Sequence, residues 1–306
     1  MSESKQDFRF GVIALIGPPN AGKSTFLNQV LGEKVAIVTP KPQTTRNQIT
    51  GILNREDLQA VFLDTPGIHA HKGRMNELML RAARNGLQAA DAVLLLLDAE
   101  MYARKPRKLE DDLNLLSRSL KGLGVPFLLG LNKTDILGDK KALLPLMDRL
   151  HRQWPETEVF PLSAEQGEGT AEILERLRAL LPPGRAMYPE EQLSTLPLKF
   201  MVSETIREKL FLNLHDELPY NIAVQIETWE EEEGLVRIEA NILVSRSGHK
   251  PIVIGQKGER LKKIGTQARM EAEQLLGKKA YLGLWVKVKP KWHENPSLLT
   301  TLGFGE

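Results

Sequence analysis

The sequence predicts an α/β fold, a doubly wound and mostly parallel sheet, followed by a smaller α+β domain. Three observations carry this. From Arg9 to about Leu181, short apolar runs alternate with helix-like stretches, the pattern of parallel strands covered by helices on both faces. A glycine-containing loop, Gly17 to Ser24, lies between the first apolar run and the first helical pattern. At Leu181-Pro182-Pro183-Gly184 the alternation stops and a different element order begins.

In order, Phe10 to Ile16 reads as a buried strand and Gly22 to Leu31 as a helix. Further strands are expected at Ala60 to Leu63, Ala92 to Leu97, Phe127 to Leu131 and Val159 to Leu162. Helices are expected at Arg74 to Gln88, Lys108 to Leu120, Lys141 to Trp154 and Thr170 to Leu180. The domains are drawn at 1–181 and 199–306, with 182–198 as a proline-rich linker. Beyond it, Ser203 to Glu217 has an amphipathic helical pattern, and Ile222 to Trp229 and Leu235 to Val244 alternate as strands around an acidic turn, Glu230 to Gly234. A glycine-containing helical stretch, Ile252 to Leu276, and a strand, Leu282 to Lys289, complete the set.

The 306 residues suggest about two domains, and a hydrophobic share of 42% lets each bury a core. The absence of cysteine removes disulfides and thiol chemistry and fits a reducing cytosol. No apolar run approaches the ~20 residues needed to span a bilayer. Net charge is only +2, so any basic surface must come from local clustering.

Gly17-Pro18-Pro19-Asn20-Ala21-Gly22-Lys23-Ser24 has the spacing of a phosphate-binding loop, placed between a strand and a helix as the chemistry requires. Its glycines let backbone N–H groups face phosphate, and the helix N-terminus favours negative charge. Lys23 would neutralise the β/γ-phosphates and Ser24 would ligate Mg²⁺, with Thr25 beside it. Asp64-Thr65-Pro66-Gly67 follows a strand; Asp64 can hold Mg²⁺ through water and the Gly67 N–H can meet the γ-phosphate. In Asn132-Lys133-Thr134-Asp135, the Asp135 carboxylate accepts from guanine N1–H and its exocyclic amine, a donor pair that adenine lacks. Asn132 would brace the loop and the base, and the Lys133 stem would cover the ring. Ser163-Ala164-Glu165 offers a backbone N–H to the guanine oxygen. These strand ends are where open α/β sheets bind ligands.

The ordered set is similar to the signature of GTPases. That resemblance places Gln43-Thr44-Thr45-Arg46 in the switch loop whose threonine ligates Mg²⁺ when γ-phosphate is present. Thr45 is preferred, with Thr44 as the alternative. Lys23, Thr45 and Gly67 then form the catalytic group. Ras-like relatives carry a water-orienting Gln where this chain has Ile68, so slow intrinsic hydrolysis is expected. Asn20 has two readings: loop bracing, or help in binding K⁺ as in related GTPases with an equivalent asparagine. His69 and His71 read as solvated loop residues.

Ile254-Gly255-Gln256-Lys257-Gly258 resembles the Gly-x-x-Gly loop with which KH domains clamp a nucleic-acid backbone. The order helix–strand–strand–helix–helix–strand is that of the type II arrangement. Arg246, Lys250, Lys257, Arg260, Lys262 and Lys263 cluster around the loop, and Lys278, Lys279, Lys287, Lys289 and Lys291 form a second cluster. Gly255 to Gly258, Arg260, Lys262 and Lys263 are the expected RNA contacts. Trp285 reads as a core residue of the last strand, and Glu217-Leu218-Pro219-Tyr220 as a helix end and turn.

The whole chain resembles the Era family of bacterial ribosome-assembly GTPases. Besides the motifs above, Ile206-Arg207-Glu208-Lys209 and Leu284 to Lys289 carry the match. The resemblance implies GTP/GDP and Mg²⁺ as cofactors, with K⁺ as a further candidate. It also implies binding near the 3′ end of small-subunit (16S) ribosomal RNA, association with the 30S subunit, and nucleotide-dependent rearrangement of the domains. A cytoplasmic location with a peripheral contact on the inner face of the membrane is implied for some members. DNA is not an expected partner, and a monomer is expected. Two other classes fit the residues: a binding module with vestigial hydrolysis, and a GTPase whose C-terminal domain contacts protein or membrane instead of RNA.

Overall fold

The computed structural model describes residues 8–68, 74–122 and 124–304; His69 and His71 lie outside them. The chain divides into two compact units. Within the described residues the first comprises 8–36, 45–68 and 79–195, and the second 37–44, 74–78 and 196–304.

The first unit is built on a six-stranded sheet in the order β2-β3-β1-β4-β5-β6. Its strands are β1 (Arg9–Ile16), β2 (Ile49–Arg55), β3 (Leu58–Asp64), β4 (Ala92–Asp98), β5 (Phe127–Asn132) and β6 (Val159–Pro161). All neighbours run parallel except β2 and β3. The helices are α1 (Lys23–Leu31), α2 (Arg74–Gln88), α3 (Ala99–Arg104), α4 (Pro106–Leu120), α5 (Leu143–Gln153) and α6 (Thr170–Leu180); α2 belongs to this unit from Met79 onward. β3 and β4 are buried along their full length, as their uninterrupted apolar runs require.

Two elements of this unit escape the sequence pattern. Strand β2 joins β3 through a two-residue turn, Glu56-Asp57, and is the antiparallel edge; Gly51 and the polar Thr50, Asn54 and Arg55 hide its alternation. Helix α3 is a short turn capped by Asp98, whose side chain accepts the Met101 N–H. The stretch expected as a linker is packed as far as residue 195. Ile52 N–H donates to Leu193 O at 2.8 Å, Ser194 Oγ donates to Thr50 O, and the Gln59 side chain holds Met187 and Tyr188. An extended proline-containing segment loses little entropy on ordering, and it satisfies the outward Ile52 N–H and Thr50 C=O of an edge strand.

The second unit contains α7 (Leu198–Asn213), β7 (Ile222–Glu232), β8 (Leu235–Val244), α8 (His249–Ile254), α9 (Glu259–Leu276), β9 (Lys279–Val288) and α10 (Pro296–Thr301). Its three strands lie in the order β7-β8-β9, antiparallel then parallel. The α7-β7-β8-α8-α9-β9 order is the one expected. Val202, Ile206 and Leu210 of α7, the inward residues of β7 and β8, and Ile264, Ala268 and Ala272 of α9 form one apolar core. Residues 252–276 are not continuous helix: the chain breaks between α8 and α9, where Gly255, Lys257 and Gly258 all take positive φ. The acidic run is strand as far as Glu232, and Gly234 (φ 73°) makes the turn.

Trp285 is not a core residue. It is 60% exposed, because Ala280, Leu282, Leu284 and Val286 face the core and the alternation of β9 turns Tyr281 and Trp285 outward. The aromatic core residue is Trp292 instead. It is fully buried with Leu299, Phe304, Ala223 and Leu243, and its Nε1 donates to Asn221 O. Among the described residues no helix is long and apolar enough to cross a membrane.

Candidate functional site

The parallel strands of the first unit deliver their loops to one edge of the sheet, and the expected nucleotide residues meet there. Gly17 (φ 149°) lets the loop turn directly over β4; a Cβ at this position would stand 2.2 Å from Leu96 O. Gly22 (φ 93°) N-caps α1, and a Cβ there would strike the Asn132 side chain. Gly67 passes against Pro19 so closely that a Cβ would stand 2.6 Å from its backbone nitrogen. Ala21 N–H donates to Pro18 O at 3.3 Å, which closes the turn.

Lys23 is buried, and its Nζ donates to Gly17 O and Pro18 O at 3.1 and 3.0 Å. Burial pushes its ammonium down to about 8, opposed by the charge of Asp64. Ser24 Oγ lies 2.9 Å from Thr45 Oγ1 and 2.5 Å from Asp64 Oδ2. Of the two threonines, Thr45 is the one that joins this cluster; Thr44 belongs to the second unit and bonds Thr39 and Lys41 O. Asp64 is fully buried, its Oδ1 has no hydrogen-bond partner, and burial raises its carboxyl to about 6. Three oxygens converging around an unsatisfied buried carboxylate fit a hard cation such as Mg²⁺. Thr65 is a bracing residue, donating to Leu15 O at 2.8 Å.

The base-side motifs are tied to the phosphate loop through one amide. Asn132 Nδ2 donates to Ala21 O at 2.8 Å, and its Oδ1 accepts Ala164 N–H at 2.9 Å. Lys133 sits at φ 68°, with Nζ 2.5 Å from Asp98 Oδ2. Asp135 is exposed on the short turn that follows, Ser163 Oγ accepts Gln166 N–H, and Glu165 is exposed. Asn20 is exposed at φ 63°. Ile68 is 5% exposed and packs in the core beneath the site, its N–H on Gly17 O, so its side chain serves packing.

Two residues of this region have no counterpart among the sequence motifs. Asp98 neutralises Lys133, and Asn28 holds the segment after α1 by accepting the Val35 and Ala36 N–H groups. The end of β4 carries the only hint of Asp98; a mid-helix asparagine carries no signal of its own.

In the second unit, a groove of about 390 Å³ lies between α9 and β9 and reaches Gly258 of the break. Gly258, Lys262, Thr266 and Arg269 line it with Leu261, Gly265, Leu282 and Leu284. Lys262 is therefore on the groove, whereas Arg260 donates to Ile252 O and Gly255 rests against it. Gln256, Lys257 and Lys263 are exposed. The two basic clusters differ in kind. Lys278, Lys279, Lys287 and Lys291 each have a glutamate within 4 Å. Among the described residues, Arg246, Lys250, Lys257, Lys262 and Lys263 have no such acidic partner. Of the two clusters, the one around the groove is therefore the less compensated; in the other, Lys289 alone among the described residues lacks a glutamate within 4 Å.

A family described as "50S ribosome-binding GTPase" matches residues 12–133, and one described as "KH domain" matches residues 217–293. The GTPase Era of Nitratidesulfovibrio vulgaris (strain DSM 19637 / Miyazaki F) is 50% identical over 305 residues, covering 99% of each chain. The chain belongs to the Era family of GTPases. Its similarity to the Era of Geotalea uraniireducens (strain Rf4) is 42% over 302 residues, 98% of this chain and 99% of that one. Two solved Era structures, each 38% identical, span 98% of this chain and 100% of theirs. A single-residue variant of the Aquifex aeolicus Era, bound to GDP.AlF4⁻, gives a TM-score of 0.92. Era in complex with MgGDPNP and nucleotides 1506–1542 of 16S ribosomal RNA gives 0.91. Like its Era-family relatives, this chain is a GTPase, with a P-loop domain followed by a KH domain.

Proposed function

We propose that this GTPase is a molecular switch that binds 16S ribosomal RNA near its 3′ end and assists assembly of the 30S subunit. One observation carries the reading: a nucleotide site and a basic groove occur in one chain, and a relative similar over its full length is solved with MgGDPNP and nucleotides 1506–1542 of 16S ribosomal RNA. The roles divide between the units. Gly17 to Thr25 cradle the phosphates, and Lys23 turns its ammonium from the Gly17 and Pro18 carbonyls toward the γ-phosphate. Ser24, Thr45 and Asp64 would hold Mg²⁺, which would supply positive charge to the phosphates. Gly67 gives its N–H to the γ-phosphate. Asp135 reads guanine, with Lys133 over the ring and the loop Ser163 to Glu165 giving a backbone N–H to its oxygen.

Intrinsic turnover is slow, because the buried Ile68 side chain cannot orient water. K⁺ held with the help of Asn20 is the candidate source of extra positive charge; equal rates in Na⁺ and K⁺ would remove it. The protein acts as a monomer in the cytoplasm, with a peripheral membrane contact as a further expectation.

In the second unit, the loop Gly255 to Gly258 meets RNA phosphate through the Gln256 and Lys257 N–H groups, since those of Gly255 and Gly258 are donated to Pro251 O and Gly255 O, and Lys257, Lys262, Lys263 and Arg260 supply the charge. The double change Lys257→Glu and Lys262→Glu should weaken binding of a 16S 3′-terminal fragment by more than ~100-fold, with GDP affinity unchanged. Retained RNA affinity would overturn the assignment.

A further inference from the structure

The residues that lead into Thr45 belong to the second unit, and α7 grips them with charged side chains. Arg207 Nη2 donates to Thr44 O at 2.5 Å, and its Nε bonds Glu204 at 2.7 Å. Glu208 accepts the Val38 N–H at 3.0 Å. Lys41 Nζ caps the C-terminal end of α7, donating to Phe211 O and to Leu214 O just beyond it. Arg207 and Glu208 are almost fully buried. The grip extends to the RNA side of the same unit. Lys209 bonds Glu208 at 2.6 Å and also pairs with Glu271 of α9, the helix whose first turns line the groove. Asn213 of α7 bonds Gln267 of α9 at 3.1 Å.

We propose that the chain Glu271–Lys209–Glu208, with Arg207 on Thr44, positions the segment before Thr45 and couples RNA in the groove to the γ-phosphate. This rests on the RNA-binding reading above. Thr44 and Thr45 are joined by one peptide bond, and Thr45 Oγ1 already lies beside Ser24. A shift of the Thr44 carbonyl is therefore passed through one peptide bond to Thr45, whose Oγ1 belongs to the cation cluster. In turn, ordering Thr45 on a cation and γ-phosphate fixes the N–H and C=O groups that Glu208 and Arg207 hold. Part-buried ion pairs transmit such a shift better than exposed ones, since water screens them less. Arg207 Nη1 is buried without an acceptor, so a second arrangement of the segment has a donor ready to use. Coupling of this kind is reciprocal: RNA must favour the triphosphate state by the factor by which that state favours RNA.

The test uses the full chain, GDP, GDPNP and a 16S 3′-terminal RNA fragment, and reads the ratio of the RNA Kd values in the two nucleotides. The wild-type ratio should depart from one by roughly tenfold. Glu271→Gln, at the more exposed end of the chain, and Lys209→Met should bring it to within about twofold of one, with GDP affinity kept. Lys209→Arg should restore it. Variants that keep the wild-type ratio, or that lose RNA affinity equally in both nucleotides, overturn the proposal. A wild-type ratio of one overturns it while the RNA-binding reading stands; no RNA binding by the wild type overturns both.

Discussion

Asp64 carries two opposing demands in one side chain: it must be charged to hold a cation, and it is buried where charge is costly. Burial is the chief cause that raises its carboxyl from the ordinary carboxylate range to about 6. In the metal-free protein its contribution to stability is therefore fullest below the unfolded value and is lost as pH rises through about 6. Mg²⁺ reverses that penalty, so metal and proton compete for the same oxygens. Mg²⁺-dependent nucleotide affinity should fall as pH drops below about 6, by up to about tenfold per unit; titrations of a fluorescent nucleotide at fixed Mg²⁺ would show it. Base choice is also set by single atoms. Asp135→Asn exchanges an acceptor for a donor, so it should cost GTP affinity and favour xanthosine triphosphate, each by on the order of tenfold or more, measured by competition binding. At this scale the ordered motifs are readable because each places one atom type beside one ligand group. Asp98 and Asn28 are not readable, because their partners, Lys133 and residues 35–36, are set by the fold and not by spacing.

Strand β9 shows how one element serves two surfaces. Leu282 and Leu284 line the groove, while Tyr281 and Trp285 face away from the core and are exposed. Sequence alone assigns Trp285 to the core because an isolated tryptophan in an apolar strand does not reveal which face is covered. The lysines of β9 and its flanks resemble a second basic patch in sequence, but glutamates from elsewhere in the unit neutralise most of them. Charge-reversal at Lys287 should therefore change RNA affinity less than about threefold, against the large loss expected at Lys257 and Lys262. The α10 region is anchored by Trp292, whose deletion opens a cavity and leaves Asn221 O with the longer Ser245 hydroxyl bond of 3.4 Å. Trp292→Ala should cost about 3–5 kcal/mol and lower the Tm of the full chain, with GDP affinity retained. The break at Gly255 to Gly258 is foreseeable as a glycine loop, yet its position falls inside a helical pattern because Ile264, Ala268 and Ala272 continue the period.

At the scale of the whole molecule, chain order and compact units do not coincide. The nucleotide-site strands and their loops lie in the first unit, but residues 37–44 belong with the RNA-groove unit. Sequence shows two domains in succession and a linker between them; it cannot show that the switch segment divides between Thr44 and Thr45, since that depends on Arg207 and Glu208, far along the chain. On the proposed function, the nucleotide held at Gly17 to Ser24 governs RNA binding at Gly255 to Gly258. That coupling is tested most directly by crosslinking the full chain to 16S ribosomal RNA with GDPNP and with GDP, mapping both partners. Crosslinks from residues 255–263 to the 3′-terminal nucleotides should be several-fold stronger with GDPNP than with GDP. Crosslinks spread over other RNA regions, or equal in the two nucleotides, would contradict it.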